Sequence, residues 1–159
     1  MFEKRDTDPA FLMRRLDSII SNPGKNGTLI FAVIRGKFSE GVAFANDRAR
    51  VVISIGVPYA DIHDDQIKAK KSYNNKINRK GDWYSTHAFR PMNLALGRAF
   101  GNKDDWAAIL MIDRRLGGKQ PRVSKWIRDR LVTYPYYDEF KRDFLEFMNR
   151  KLGIVKIEL

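Results

Sequence analysis

Apolar positions along the chain fall into two rhythms. Leu12, Leu16, Ile19 and Ile20 repeat at helical spacing behind Asp8-Pro9, an N-cap acceptor followed by a proline suited to the first helical turn. The turn-forming run NPGKNG closes that predicted helix. Three unbroken apolar runs follow: TLIFAVI, RARVVISIGVPY (stopped by Gly56 and Pro58) and AAILMID. Unbroken runs of this length mark strands covered on both faces, and strands separated by helical segments predict a parallel sheet of α/β type. A helix around Leu96 leads into the third run, and Pro91 is where that helix should begin or kink. Two later stripes, Val123/Trp126/Ile127/Leu131 and Tyr137/Phe140/Phe144/Phe147/Met148, predict helices with core-facing sides, and IVKIEL a final edge strand. No repeat, low-complexity tract or linker divides residues 1–159, so one domain is expected.

Composition narrows the chemistry. The 159 residues include no cysteine, which excludes disulfides, thiolate catalysis and a cysteine-held iron–sulfur cluster, and two histidines argue against a histidine-rich metal site. No apolar run approaches the roughly 20 residues of a membrane span, and the first residues lack a signal-peptide core. The net charge of +11 favours an anionic partner, nucleic acid ahead of anionic membrane. Lys68, Lys70, Lys71, Lys76, Arg79 and Lys80 crowd one stretch poor in apolar residues. It reads equally as a solvated surface element or a phosphate-contacting one.

The first apolar run ends in RGKFSEG, Arg35 to Gly41, where two glycines allow close approach of an anion to the backbone and Arg35 and Lys37 add charge. It is not a P-loop, because Phe31 and Phe38 stand where that motif needs glycine and a hydroxyl residue. Asp61, His63, Asp64 and Asp65 could hold a cation but are more simply helix-capping and loop residues. Asp104–Asp105 reads as turn chemistry beside a basic residue, and His87 as a packed histidine rather than a base.

FAVIRGKFSEGVAFANDRARVVISIGVPY resembles the fifth motif and following strand of the iron–sulfur DNA helicases, the xeroderma pigmentosum group D and Fanconi anaemia group J type in the DEAH-like branch of superfamily two. WYSTHAFRPMNLALGRAFGNKDDWAAILMIDRR is similar to their sixth motif and SKWIRDRL to the segment beyond; Trp106 and Ser124-Lys125-Trp126 favour group J. The likeness covers roughly residues 10 to 132, with the motifs at about 29–58 and 83–115. It implies a RecA-like three-layer α/β domain with a mostly parallel sheet, truncated on its N-terminal side. ATP and Mg2+ would be used only with a complementary P-loop lobe in cis or trans, which also carries the cluster. DNA would be the partner, and the nucleus the location.

Carried over, Arg98 becomes the catalytic arginine, Glu40, Gly41, Gly97 and Arg98 the nucleotide-facing set, and Arg35, Lys37, Ser39, Lys70 and Lys71 the DNA-facing set, with no metal ligands. Departures stand beside the matches. Leu94 replaces the sixth-motif glutamine, Gly101 its final arginine, and Ala43 the fifth-motif aspartate, while Pro91 replaces a small helix former. Losing an arginine finger alone costs about 10³–10⁵ in rate, so slow hydrolysis is expected even beside an intact partner lobe. Three readings follow: half of a helicase motor, a decayed motor domain retained for binding DNA or protein, or a basic domain binding nucleic acid through Lys68–Lys80 alone.

Overall fold

The computed structural model describes residues 1–6, 8–22, 27–77, 82–118 and 120–154. They form two compact units, Met1–Ser124 and Lys125–Leu159, where sequence patterning drew no boundary. Both helicase-like motifs lie in the first.

In the first unit, α1 (Pro9–Ile20) starts as the sequence predicts: Asp8 accepts hydrogen bonds from Ala10 N at 3.0 Å and Phe11 N at 3.1 Å, satisfying two orphan amides. It buries Leu12 and Leu16 and is held from outside by Arg48, whose Nε and Nη2 grip Asp17 at 2.8 and 3.1 Å. After α2 (Lys37–Gly41), β1 (Val51–Ile55) pairs in parallel with β2 (Ala108–Ile112), in register from Val51↔Ala108 to Ile55↔Ile112. α3 (Asp65–Lys76) and α4 (Trp83–Leu96) lie in the crossover, so the parallel α/β reading holds. α4 is the central element. Its Ala88, Phe89, Met92 and Leu96 are buried, as are Leu16, Phe38, Val57 and Val123 elsewhere in the unit. Each large side chain fully removed from water contributes about 1.5–3 kcal/mol.

Several expectations change. TLIFAVI is not a covered strand: Leu29, Phe31 and Val33 are 59%, 50% and 64% exposed. Among the described residues its backbone pairs only with the start of the chain, through the Phe2↔Phe31 bridge, so no second layer lies over it. α4 neither begins nor stops at Pro91 but starts at Trp83, where Asp82 caps the amides of Tyr84 and Ser85. The stripe from Val123 to Leu131 is not one helix, because Asn93 captures the backbone before it. Asn93 Nδ2 donates to Arg122 O at 3.0 Å and Ser124 N donates to Asn93 Oδ1 at 3.1 Å. That leaves only α5 (Lys125–Arg128) helical, and the amides of Arg130 and Leu131 turn back to Ile127 O and Arg128 O.

In the second unit, α6 (Tyr137–Leu152) forms over the predicted aromatic stripe and ends at Gly153, which takes the left-handed conformation (φ 67°) of a helix stop. Phe140 stacks on Phe144 at 5.5 Å, yet no residue of α6 is fully buried, so the stripe is not a closed core. Most of the predicted edge strand, residues 155–159, lies outside the described residues, as do Arg79 and Lys80.

Candidate functional site

The chain leaves its exposed extended segment through a tight turn. Arg35 adopts φ 74°, left-handed backbone that costs a side-chain-bearing residue about 1–2 kcal/mol. Gly36 follows with no room for a side chain: a Cβ there would stand 2.5 Å from the Glu3 carboxylate and 2.8 Å from Val33 O. The Glu3 carboxylate holds the turn by accepting from Val33 N (2.8 Å) and Lys37 N (2.7 Å). α2 is anchored by buried Phe38, tilted against Phe44, and by Ser39. The Ser39 hydroxyl donates to Gly36 O at 3.0 Å and is turned inward, so it shapes the turn instead of offering itself to DNA. Lys37, Glu40 and Gly41 are exposed. A Cβ at Gly41 would meet nothing within 4 Å, so no crowding demands glycine there.

Gly97 caps the end of α4 and delivers Arg98 to α2. Arg98 Nε donates to Ser39 O at 3.0 Å and Nη2 to Glu40 O at 2.5 Å, while Arg98 O accepts from Phe44 N at 2.7 Å. The four residues predicted to face nucleotide, Glu40, Gly41, Gly97 and Arg98, are thus brought to one place. The half-buried guanidinium is braced on carbonyls, and among the described residues it has no carboxylate partner.

The departures from the helicase pattern differ in kind. Ala43 and Leu94 are exposed, Leu94 to 46%. Gly101 is exposed too, but its side-chain direction is blocked: a Cβ would lie 2.3 Å from the Ala45 Cβ. Asp105 draws the two loops together by accepting from Gly101 N (2.7 Å), Asn102 N (3.3 Å) and Asn46 N (3.2 Å). The Gly101 amide is the largest influence holding the Asp105 carboxyl below its ordinary range, and Arg50 adds to it. The predicted turn role for Asp105 beside a basic residue is what the structure shows.

On the other side of the turn, Arg35 reaches α4. Pro91 lacks the N–H that would bond the carbonyl four residues earlier, which is His87 O. Arg35 Nη2 donates to that orphaned carbonyl at 2.8 Å, and the guanidinium spans both ring nitrogens of His87 at 3.2 and 3.1 Å. The imidazole stacks on Trp83, one helical turn earlier, at 4.9 Å. Burial, then Arg35 and Lys70, push the His87 pKa down, so the ring is neutral at physiological pH. Arg35 and His87 form one wall of an open groove of about 440 Å³ that Tyr59, Ile67, Asp61 and Asp64 help to line.

The loop carrying Tyr59 is held by Asp113 at the end of β2. Its carboxylate accepts from Val57 N at 2.6 Å, Arg115 N at 2.7 Å and the Arg115 guanidinium at 2.6 Å. Arg115 also donates to Val57 O at 3.0 Å and lies over the Tyr59 ring. On α3, Lys70 is exposed, Lys71 sits 5.5 Å above the Tyr84 ring, and Lys68 pairs with Asp65. Asp64 caps α3 through Gln66 N and Ile67 N, and no group of acids and histidines among the described residues is placed to hold a metal ion. Sequence reasoning passed over Tyr59, Trp83, Asp113 and Arg115. The i,i+4 spacing of Trp83, His87 and Pro91 was the available signal.

Arg98 thus joins the two segments that resemble helicase motifs, which flank the parallel strand pair. The Helicase C-terminal domain family matches residues 2–130, and the chain belongs to it. It is 38% identical over 144 residues, 84% of its length, to the Fanconi anemia group J protein homolog of Gallus gallus. It is 38% identical over 116 residues to the Regulator of telomere elongation helicase 1 homolog of Caenorhabditis elegans, and 32% over 150 residues to that of Arabidopsis thaliana. The aligned parts span 12%, 12% and 14% of those relatives. No helix among the described residues is long and apolar enough to cross a membrane.

Proposed function

We propose that this chain serves as part of the second RecA-like lobe of an ATP-dependent DNA helicase, working with a P-loop lobe supplied in cis or in trans, in the nucleus. The observation that carries this is the Arg98 brace, which couples the helix end of the sixth motif to the backbone of α2 through Ser39 O and Glu40 O. A guanidinium so held keeps donors for a phosphate gripped by another lobe, where it neutralises charge developing on the transferred group. Glu40, Gly41 and Gly97 line the same approach. Magnesium would be held by the partner lobe and the phosphates, since no acidic cluster among the described residues suits it. Arg35, Lys37, Lys70 and Lys71 would track a single strand of DNA along the other side of the turn.

The test is reconstitution with the P-loop lobe of a relative. The chain alone should not hydrolyse ATP, and the mixture should do so slowly with stimulation by single-stranded DNA. Arg98→Ala should reduce the stimulated rate by about 10³-fold or more while leaving DNA affinity in place. Absence of stimulation would refute the motor reading. A second reading, a decayed motor domain retained for binding, is favoured by the contact of Gly101 with Ala45, which must shift before the family's final arginine can be seated. It predicts DNA binding with no turnover in any mixture.

A further inference from the structure

The proline in α4 has a structural consequence beyond the helix. An α-helix interior normally consumes its own carbonyls, and Pro91 leaves the one at His87 unclaimed. Arg35 fills the vacancy, at the cost of left-handed backbone, and its guanidinium is thereby fixed across the imidazole. The imidazole carries no negative charge, so it leaves the charge of the arginine unpaired. Among the described residues no carboxylate pairs with Arg35 or with Lys70. Arg35 therefore lines, without a carboxylate partner, a groove with apolar walls from Tyr59 and Ile67, and Lys70 lies near enough to His87 to act on it electrostatically. Its volume of about 440 Å³ falls in the range of small-ligand sites. At the same rim, Asp61 spends Oδ1 on His63 N and Asp64 spends Oδ1 on the α3 cap, leaving the second oxygen of each as an acceptor.

We infer that this groove is a subsite for one nucleotide of single-stranded DNA, with the phosphate on Arg35 and Lys70 and the base against Tyr59 and Ile67. Asp61 and Asp64 then select bases that carry an exocyclic amine. Carboxylates accept from the N4 amine of cytosine, whereas thymine has a carbonyl at that place and would present like partial charges. Pro91 acts as a positioning residue, since it touches no ligand but creates the seat that holds Arg35. The inference rests on the DNA-binding part of the reading above and adds base selection at a particular place.

Fluorescence anisotropy of the full chain with labelled oligo-dC and oligo-dT of equal length tests it, with thermal melts of every variant alongside. Oligo-dC should bind several-fold more tightly than oligo-dT, and Asp61→Ala should remove most of that difference. Pro91→Ala should weaken binding of both oligonucleotides several-fold while the melting temperature holds or rises, because the helix regains a hydrogen bond. A merely structural proline would not lower affinity while stability rises. Equal affinity for the two oligonucleotides, a preference that survives Asp61→Ala, or unchanged affinity in Pro91→Ala overturns the subsite and leaves DNA binding standing. Failure to bind either oligonucleotide overturns both.

Discussion

A Gly101→Arg variant is expected to melt well below the parent chain, although arginine is the residue that the helicase pattern calls for at this place. The first side-chain carbon would lie 2.3 Å from the Ala45 Cβ, so the loop bearing Ala45 must move before any guanidinium is positioned. That loop is tied to the turn after Gly101 by Asp105, which binds Asn46 N and Gly101 N together, and by Asn102 Nδ2 donating to Asn46 Oδ1 at 3.2 Å. Overpacking of this kind costs about 1–3 kcal/mol, which in a chain of this size lowers the melting temperature by about 2–4 °C per kcal/mol. Ala43→Asp and Leu94→Gln, at exposed positions, should change stability by no more than about 0.5 kcal/mol. Circular-dichroism melts of the three variants separate them. A Gly101→Arg protein that melts with the parent would show the loops to be free to part. Restoring all three polar residues together is therefore not a clean route to recovered activity, because one of them first breaks the loop pair that holds the others.

The second large effect belongs to Asp113. Replacing it with asparagine removes the ion pair with Arg115 and leaves the Val57 amide and Arg115 to share a weaker acceptor. Buried groups stripped of partners lose about 1–3 kcal/mol each, and the carboxylate side chain here is only 8% exposed. Arg115 is more than half exposed and regains water, so a total of about 2–4 kcal/mol is expected at neutral pH. Hydrogen bonds from the Arg115 side chain are the main reason that the Asp113 carboxyl sits far below the ordinary carboxylate range; burial opposes this, and the Val57 amide adds to it. A depressed folded-state pKa means that the stabilisation is complete above the unfolded value, near ~3.9, and drains away as pH falls toward the folded one. The gap in melting temperature between parent and Asp113→Asn should therefore be widest at neutral pH and narrow by pH ~3. A gap that stays constant across that range would mean that the ion pair is not what Asp113 contributes. Because Asp113 also holds the Tyr59 loop, the same variant should loosen the groove beside Arg35.

The legible parts of this protein were those governed by neighbours in the chain. The Asp8-Pro9 helix start, the strands over VVISI and AILMI and the Asp105 turn all follow from short-range rules, and the structure bears them out. The family was legible too, since two ordered motifs at their proper spacing are a property of the string, and the match over residues 2–130 agrees. The covered strand at TLIFAVI failed because an apolar run specifies that a strand wants cover, not that cover is at hand; among the described residues its backbone meets only the start of the chain, around Phe2. The long stripe from Val123 failed because one distant side chain, Asn93, claims the backbone that a helix would need.

By itself, then, the amino-acid order determined the Asp8-Pro9 helix start, the two apolar runs that become β1 and β2, and motif ancestry, all set by neighbours in the chain or by spacing. Only the tertiary structure decided which departures from the family pattern are open to change and which are locked. It alone turned Pro91 from a helix irregularity into the seat of Arg35. The physical reason is that a steric block and a donor for an orphaned carbonyl arise when segments some fifty residues apart are brought into contact, Ala45 with Gly101 and Arg35 with His87. No local periodicity records such a meeting.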